Sequence, residues 1–265
     1  MIYLNKDNQD AINYVSGFLS GQWLEDNNGG YCYQNIEYND INRGHFKDFF
    51  VNEQDSKCCY CCREIAIDRH TELEHIVPRA VNNQVDLLPY HGLSKVLKDN
   101  VMLHQEFKAS QVQLASPPFP HHTAYHNIVA SCNGRTFETT TDFTCCNRKR
   151  GDDFLPPFNL MQGCINYLPD GTLVYDPPQG QTYVDILNLN KTILKDIRKL
   201  WKLFYSNQTP LQQINMPFDE KQVKVMISLA VLLQTGKTHE DLKLIDNFKI
   251  QSMWDVFLKY SFFYS

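Results

Sequence analysis

Two groups of cysteines far apart in the chain frame one short segment, and that framing constrains the fold more than any other feature. The first group is Lys57-Cys58-Cys59-Tyr60-Cys61-Cys62-Arg63, and the second is Cys132 with Cys145-Cys146-Asn147-Arg148-Lys149-Arg150-Gly151. Between them lies Leu73-Glu74-His75-Ile76-Val77-Pro78. Two thiolates three residues apart on a tight turn can share a tetrahedral Zn²⁺ with a second pair from elsewhere in the chain. A metal so bound fixes backbone that a hydrophobic core need not fix. The expectation is a zinc-stapled frame around Glu74 and His75. Cys59 and Cys62 repeat the spacing of Cys58 and Cys61, and Cys145 competes with Cys146, so spacing alone leaves the ligand register open.

The chemistry of the cysteines depends on where the chain resides. Its start, Met1-Ile2-Tyr3-Leu4-Asn5-Lys6-Asp7, lacks the charged and apolar regions of a secretory signal, and no apolar run is long enough to span a bilayer. A cytoplasmic protein without membrane contact is the expectation. Cytosolic thiols stay reduced, so the nine cysteines point to metal rather than to disulfides. Cys32 and Cys164 stand alone and are expected as buried thiols. With 43% hydrophobic and 21% charged residues the chain falls among ordinary globular proteins. Its net charge of −5 gives no global field that would recruit nucleic acid, which leaves local basic patches or a partner to do so.

Three zones differ in texture, and together they predict an α+β fold. Residues 1–55 form an N-terminal scaffold segment, with a helix over residues 10–19 and a second short helix carrying Phe46, Phe49 and Phe50 on one face. Residues 56–166 hold nearly all the cysteines and histidines, with poor periodicity and many turn residues. Within them Ser116-Pro117-Pro118-Phe119-Pro120-His121-His122 predicts an irregular loop, and His121, His122 and His126 are expected in solvent, with the lining of a metal site as the alternative. Residues 167–265 become helical. Ile193, Leu194, Ile197, Leu200, Trp201 and Phe204 recur at helical spacing among Lys191, Lys195, Arg198, Lys199 and Lys202, and two more helices are expected around 223–233 and 241–260.

The chemistry concentrates at His75. Its imidazole can take a proton from water near neutral pH. On a strand its neighbour Glu74 points the opposite way, free to hold a divalent ion. Asn147 opens a predicted short helix after Cys146, and its amide oxygen is a hard ligand suited to Mg²⁺ or Mn²⁺. One such ion with a base opposite suits phosphodiester hydrolysis. Lys149 and Arg150 stand beside it as phosphate contacts. Zinc held by four thiolates keeps no open position, so it would be structural.

The order Cys58-x-x-Cys61, Glu74-His75-Ile76-Val77-Pro78, Asn127-Ile128-Val129, Cys132, then Cys146-Asn147-x-x-x-Gly151 resembles the HNH endonuclease family with its ββα-metal finger. The resemblance spans about residues 57–152. It implies a zinc-stapled nuclease core in which Cys58, Cys61, Cys132 and Cys146 hold Zn²⁺. It further implies His75 as general base, Glu74 and Asn147 as ligands of the catalytic ion, and Asn127 as the brace of the loop that carries the base. Asn100 is a rival for that brace. Three departures stand out: Glu74 where many members have Asp, a long gap from Pro78 to Asn127, and a threonine-rich insertion before Cys146. The insertion and Val184-Asp185-Ile186-Leu187-Asn188-Leu189-Asn190 resemble the nuclease subunit of Septu-type and retron anti-phage systems. That likeness implies an ABC-type ATPase as partner and, in the retron setting, a reverse transcriptase with its nucleic acid. DNA is the expected substrate, with RNA such as tRNA as the alternative. A catalytically inactive zinc-organised binding module is the alternative from another class.

Overall fold

Five residues carrying the Glu74-His75 pair form strand β3 (Thr71–His75) of an antiparallel pair, in register from Thr71 opposite Cys132 to His75 opposite Ile128. In chain order, the elements before it are α1 (Gln9–Gly21), β1 (Trp23–Glu25), β2 (Tyr31–Tyr33), α2 (Tyr38–Ile41) and α3 (Phe46–Glu53). After it come α4 (Gln84–His91), α5 (Lys95–Asn100), β4 (Val101–Met102), α6 (His104–Ala109), β5 (Phe119–Pro120), a 3₁₀ turn (Tyr125–Asn127) and β6 (Ile128–Cys132), the partner of β3. The structure, a computed structural model, describes residues 4–41, 46–91, 95–134, 144–151, 153, 165–175, 180–191, 194, 195 and 198. The helices expected around 223–233 and 241–260, most of the threonine-rich insertion and Cys164 lie outside these residues. The described residues are α+β, with small two-stranded sheets.

Two compact units can be distinguished. The first is built from the described residues of Met1–Cys61, Ile65–Asn133 and Arg150–Gln162. Its N-terminal part packs on β6. Ala11, Val15 and Leu19, four apart on α1, are fully buried, and Asn8 caps the helix by accepting the Ala11 N–H. Phe46 and Phe50 repeat this spacing on α3, and the Tyr14 ring stacks on Phe46. Gln54, just past α3, behaves as a strand edge. Its Oε1 accepts the Ala130 N–H and its Nε2 donates to the Ala130 and Lys57 carbonyls. Lys6 is buried beneath the same strand. It donates to the Ile128 carbonyl at 2.8 Å, pairs with Glu53 at 3.2 Å and lies 4.7 Å from the Phe50 and Tyr125 rings. Every residue of β6 is buried, so the pair is held from the α1–α3 side.

The second unit is built from the described residues of Cys62–Glu64, Gly134–Lys149 and Gly163–Ser265. Helix α7 (Asn147–Arg150) starts after Cys146. The hairpin of β7 (Ile165–Tyr167) and β8 (Leu173–Tyr175) precedes α8 (Gln181–Ile186). The chain after α8 supports the second cysteine turn: the Cys146 N–H donates to the Leu187 carbonyl and the Asn188 amide to Thr144. Gly134 closes the turn with φ +68, and its carbonyl accepts the Cys145 N–H. A Cβ there would overlap the Cys145 carbonyl oxygen, so only glycine fits. Arg198, one of the cations interleaved with the apolar residues of the predicted helix, is 1% exposed and donates to the Gly171 and Leu189 carbonyls.

Candidate active site and metal centres

The sulfurs of Cys58, Cys61, Cys132 and Cys146 lie within 4.8 Å of one another, and all four residues are buried. Cys61 and Cys132 stand 3.8 Å apart. A tetrahedron with Zn–S bonds of about 2.3 Å has edges of about 3.8 Å, so the set fits that ion. Four buried cysteines this close could hold a metal such as zinc. Cys59 and Cys145 are also buried but do not belong to this group. Burial holds the Cys59 thiol well above the usual thiol range, so it remains protonated. Cys62 adopts the left-handed conformation, φ +59, where the chain turns away from Cys61. Cys32 is half-buried.

Glu74 and His75 are consecutive on β3, so they leave opposite faces of the strand. The His75 Nε2 lies 2.8 Å from the His122 carbonyl. A carbonyl only accepts, so Nε2 carries the proton and Nδ1 is the basic nitrogen. The Tyr38 ring meets the imidazole edge-on at 4.5 Å. Burial is the main cause that lowers the His75 pKa, to about 3, with the His122 carbonyl opposing it and the Arg79 charge reinforcing it. The ring is therefore neutral at physiological pH.

Asn127 is fully buried and spans the backbone just beyond His75. Its Oδ1 accepts the Val77 N–H at 2.7 Å, and its Nδ2 donates to the carbonyls of Val77 at 3.0 Å and His121 at 2.6 Å. Its own carbonyl accepts the Ile76 N–H. Asn100, the rival, donates instead to the Val96 carbonyl of α5. Asn147 opens α7 and is half-buried.

Arg150 departs from its sequence expectation. Its Nε donates to the Asp153 carbonyl, Nη1 to the Tyr60 hydroxyl and Glu74, and Nη2 to the His75 and Ile76 carbonyls. A guanidinium has five N–H donors, and these bonds use all of them. With its side chain 1% exposed, Arg150 has nothing left to offer phosphate. It is a brace across the Glu74-His75-Ile76 backbone. Lys149 is exposed.

The histidines expected in solvent are largely buried, and sequence spacing gave no sign that His104 and Glu37 join His122. His121 and His126 are 1% and 3% exposed, and His122 is half-buried. The cause is the parallel pairing of β4 with β5, which sets Met102 beside Pro120. Two residues beyond the end of each strand, the His104 and His122 rings stack at 4.0 Å. Glu37 joins them, so that one ligand atom from each of the three lies within 4.8 Å of the others. Burial lowers His104 to about 4 and also lowers His122. No local motif announces this group, because a pair of two-residue strands leaves almost no period-two pattern.

Fold and centre together define an α+β protein with a buried four-cysteine group competent for metal. Comparison with protein-family models, with curated proteins and with solved structures gives no match for the chain. Among the described residues no helix is long and apolar enough to cross a membrane.

Proposed function

We propose that the chain is a metal-dependent HNH endonuclease that hydrolyses phosphodiester bonds, with DNA as substrate. The observation that carries this is the mounting of His75. Its Nε2–H is spent on the His122 carbonyl, its Tyr38-packed ring is held in one tautomer, and Asn127 ties down the backbone that follows it. A neutral imidazole with one fixed lone pair is oriented to take the proton of an attacking water, while the burial that lowers its pKa to about 3 weakens it as a base. The cysteine group supports the same reading, since it would hold structural zinc.

Glu74 and Asn147 offer the hard oxygen donors that Mg²⁺ or Mn²⁺ prefers. When bound, such an ion supplies charge stabilisation for the phosphorane and the leaving oxygen. Arg150 occupies Oε2 of Glu74 at 2.9 Å, and its positive charge lowers the affinity of that carboxylate for a cation. Lys149 is exposed and would supply the phosphate contact in this reading. The same Arg150 pairing favours a second reading, a zinc-organised binding module without catalysis.

The resemblance to the Septu-type and retron nuclease subunits supports an ABC-type ATPase as partner, with a reverse transcriptase added in the retron setting. The test incubates the purified full chain, alone and with the ATPase, with plasmid DNA and with tRNA in Mg²⁺ or Mn²⁺. Cleavage lost in His75→Ala at unchanged zinc content is the expected result. Cleavage that survives in His75→Ala overturns the base assignment. Nucleic-acid binding without cleavage in any mixture selects the binding module, and cut tRNA with intact plasmid selects RNA.

A further inference from the structure

We propose that Glu37, His104 and His122 form a second metal site, distinct from the cysteine group, that takes a first-row divalent transition ion such as zinc. Parallel register places Met102 beside Pro120, and two residues on, His104 opens α6 while His122 follows β5. Their rings stack within 18° of parallel, and Glu37 approaches from the residue before α2. His104 Nε2 lies 3.5 Å from one Glu37 oxygen, and His122 Nδ1 lies 3.9 Å from the other. Bonds of about 2.0–2.1 Å separate the ligand atoms of a tetrahedral zinc site by about 3.4 Å, so small side-chain adjustments suffice.

The hydrogen bonding of His122 is that of a ligand already oriented. Its Nε2 lies 3.1 Å from the Arg79 carbonyl and must donate to it, which leaves a lone pair on Nδ1 facing Glu37. That Nδ1 is buried and makes no hydrogen bond, and the Nδ1 of His104 is in the same state. A buried polar nitrogen without a partner is costly, and an ion between the rings and the carboxylate would relieve the one on His122. Two imidazoles and one carboxylate suit zinc, cobalt or nickel, whereas the cysteine group is a soft thiolate set. Lys108, 3.9 Å from Glu37, competes for the carboxylate, but its side chain is 48% exposed and can swing into water. The backbone carbonyl of His122 is also the acceptor for His75 Nε2, so an ion on this side chain would stiffen the support of that ring.

The test is calorimetric titration of zinc into untagged full-length protein whose cysteine group is already loaded, followed by a metal count. The wild type should show a second binding event and hold two zinc ions per chain. Glu37→Gln, at a half-exposed position, and His104→Gln should each lose that event and hold one. Cobalt in the second site should add ligand-field absorption without new thiolate charge transfer. A single zinc per chain in the wild type, or a second event that survives in both variants, overturns the proposal. Neither outcome depends on whether the chain cleaves nucleic acid.

Discussion

Arg150 and Glu74 form an ion pair at 2.9 Å in which the guanidinium is almost wholly withdrawn from water. The pair joins the residue three past Asn147 to the strand that carries His75. Because Arg150 also donates to Tyr60 and to the carbonyls of His75 and Ile76, the pair forms part of a network rather than a surface contact.

Arg150→Ala should therefore act on stability before it acts on anything else. It leaves the Glu74 carboxylate, 13% exposed, without that partner, together with acceptors that water reaches poorly. Removing one member of a buried pair costs about 3–5 kcal/mol. Chemical denaturation should show a loss of that size. Lys149→Ala, at an exposed position, should change stability by less than about 0.5 kcal/mol. Equal and small effects for the two variants would disprove the bracing role of Arg150.

Asn127 makes a comparable prediction with sharper chemistry. Its amide nitrogen donates to two carbonyls while its oxygen accepts one N–H. Asn127→Asp keeps the shape and the acceptor but turns an oxygen towards both carbonyls. Each orphaned buried group costs about 1–3 kcal/mol, so Asn127→Asp should lose several kcal/mol at neutral pH. Part of this should return at low pH, where a protonated carboxyl can donate to one of the carbonyls. A denaturation midpoint equal to wild type at pH 7 would sink the assignment.

The contrast between Arg150 and Cys146 shows what a linear sequence can disclose. Paired thiols carry their chemistry in their spacing, and so does a carboxylate next to a histidine on a strand. The helix at α1 and the aromatic face of α3 follow from period 3.6 in the same way. Arg150 sits in a run of cations, Arg148-Lys149-Arg150, and such runs usually lie in water. Only the fold shows that five acceptors surround it. His104 and His122 fail for a different reason: they become neighbours through a pair of two-residue strands, too short to leave a pattern. Gln54 is a similar case, since a glutamine that imitates a strand edge looks like any other helix-end residue. Long-range pairing decides these three positions, and local propensity carries little of it.

The cysteine group predicts a dependence on metal. Removing zinc would leave four thiols in a buried site whose second half rests on one turn, closed by Gly134. Apparent stability gained from a bound ion follows mass action, and structural zinc supplies folding free energy directly. Chelation by a strong zinc ligand should lower the melting temperature, and added zinc should restore it. Cys61→Ser should melt at about the chelated temperature and respond little to zinc. A wild-type melting temperature indifferent to chelator would remove zinc from this site.

His126 gives a prediction in pH. It is 3% exposed, and burial lowers its pKa to about 4, with the nearby Lys6 charge adding to the shift, against 6.5 for an unperturbed ring. Between these values the unfolded chain holds a proton that the folded chain refuses. Stability from this group is therefore complete above pH 6.5 and is lost as pH falls towards 4. The contribution to the slope approaches one proton, about 1.4 kcal/mol per pH unit. His75 and His121, both lowered by burial to about 3, act in the same direction, so the wild type should weaken steadily in mild acid. His126→Gln cannot take up that proton, and its stability should fall less steeply between pH 6.5 and 4. Urea denaturation of both proteins across that window measures the difference, and parallel curves would mean that His126 titrates alike in the folded and unfolded chains.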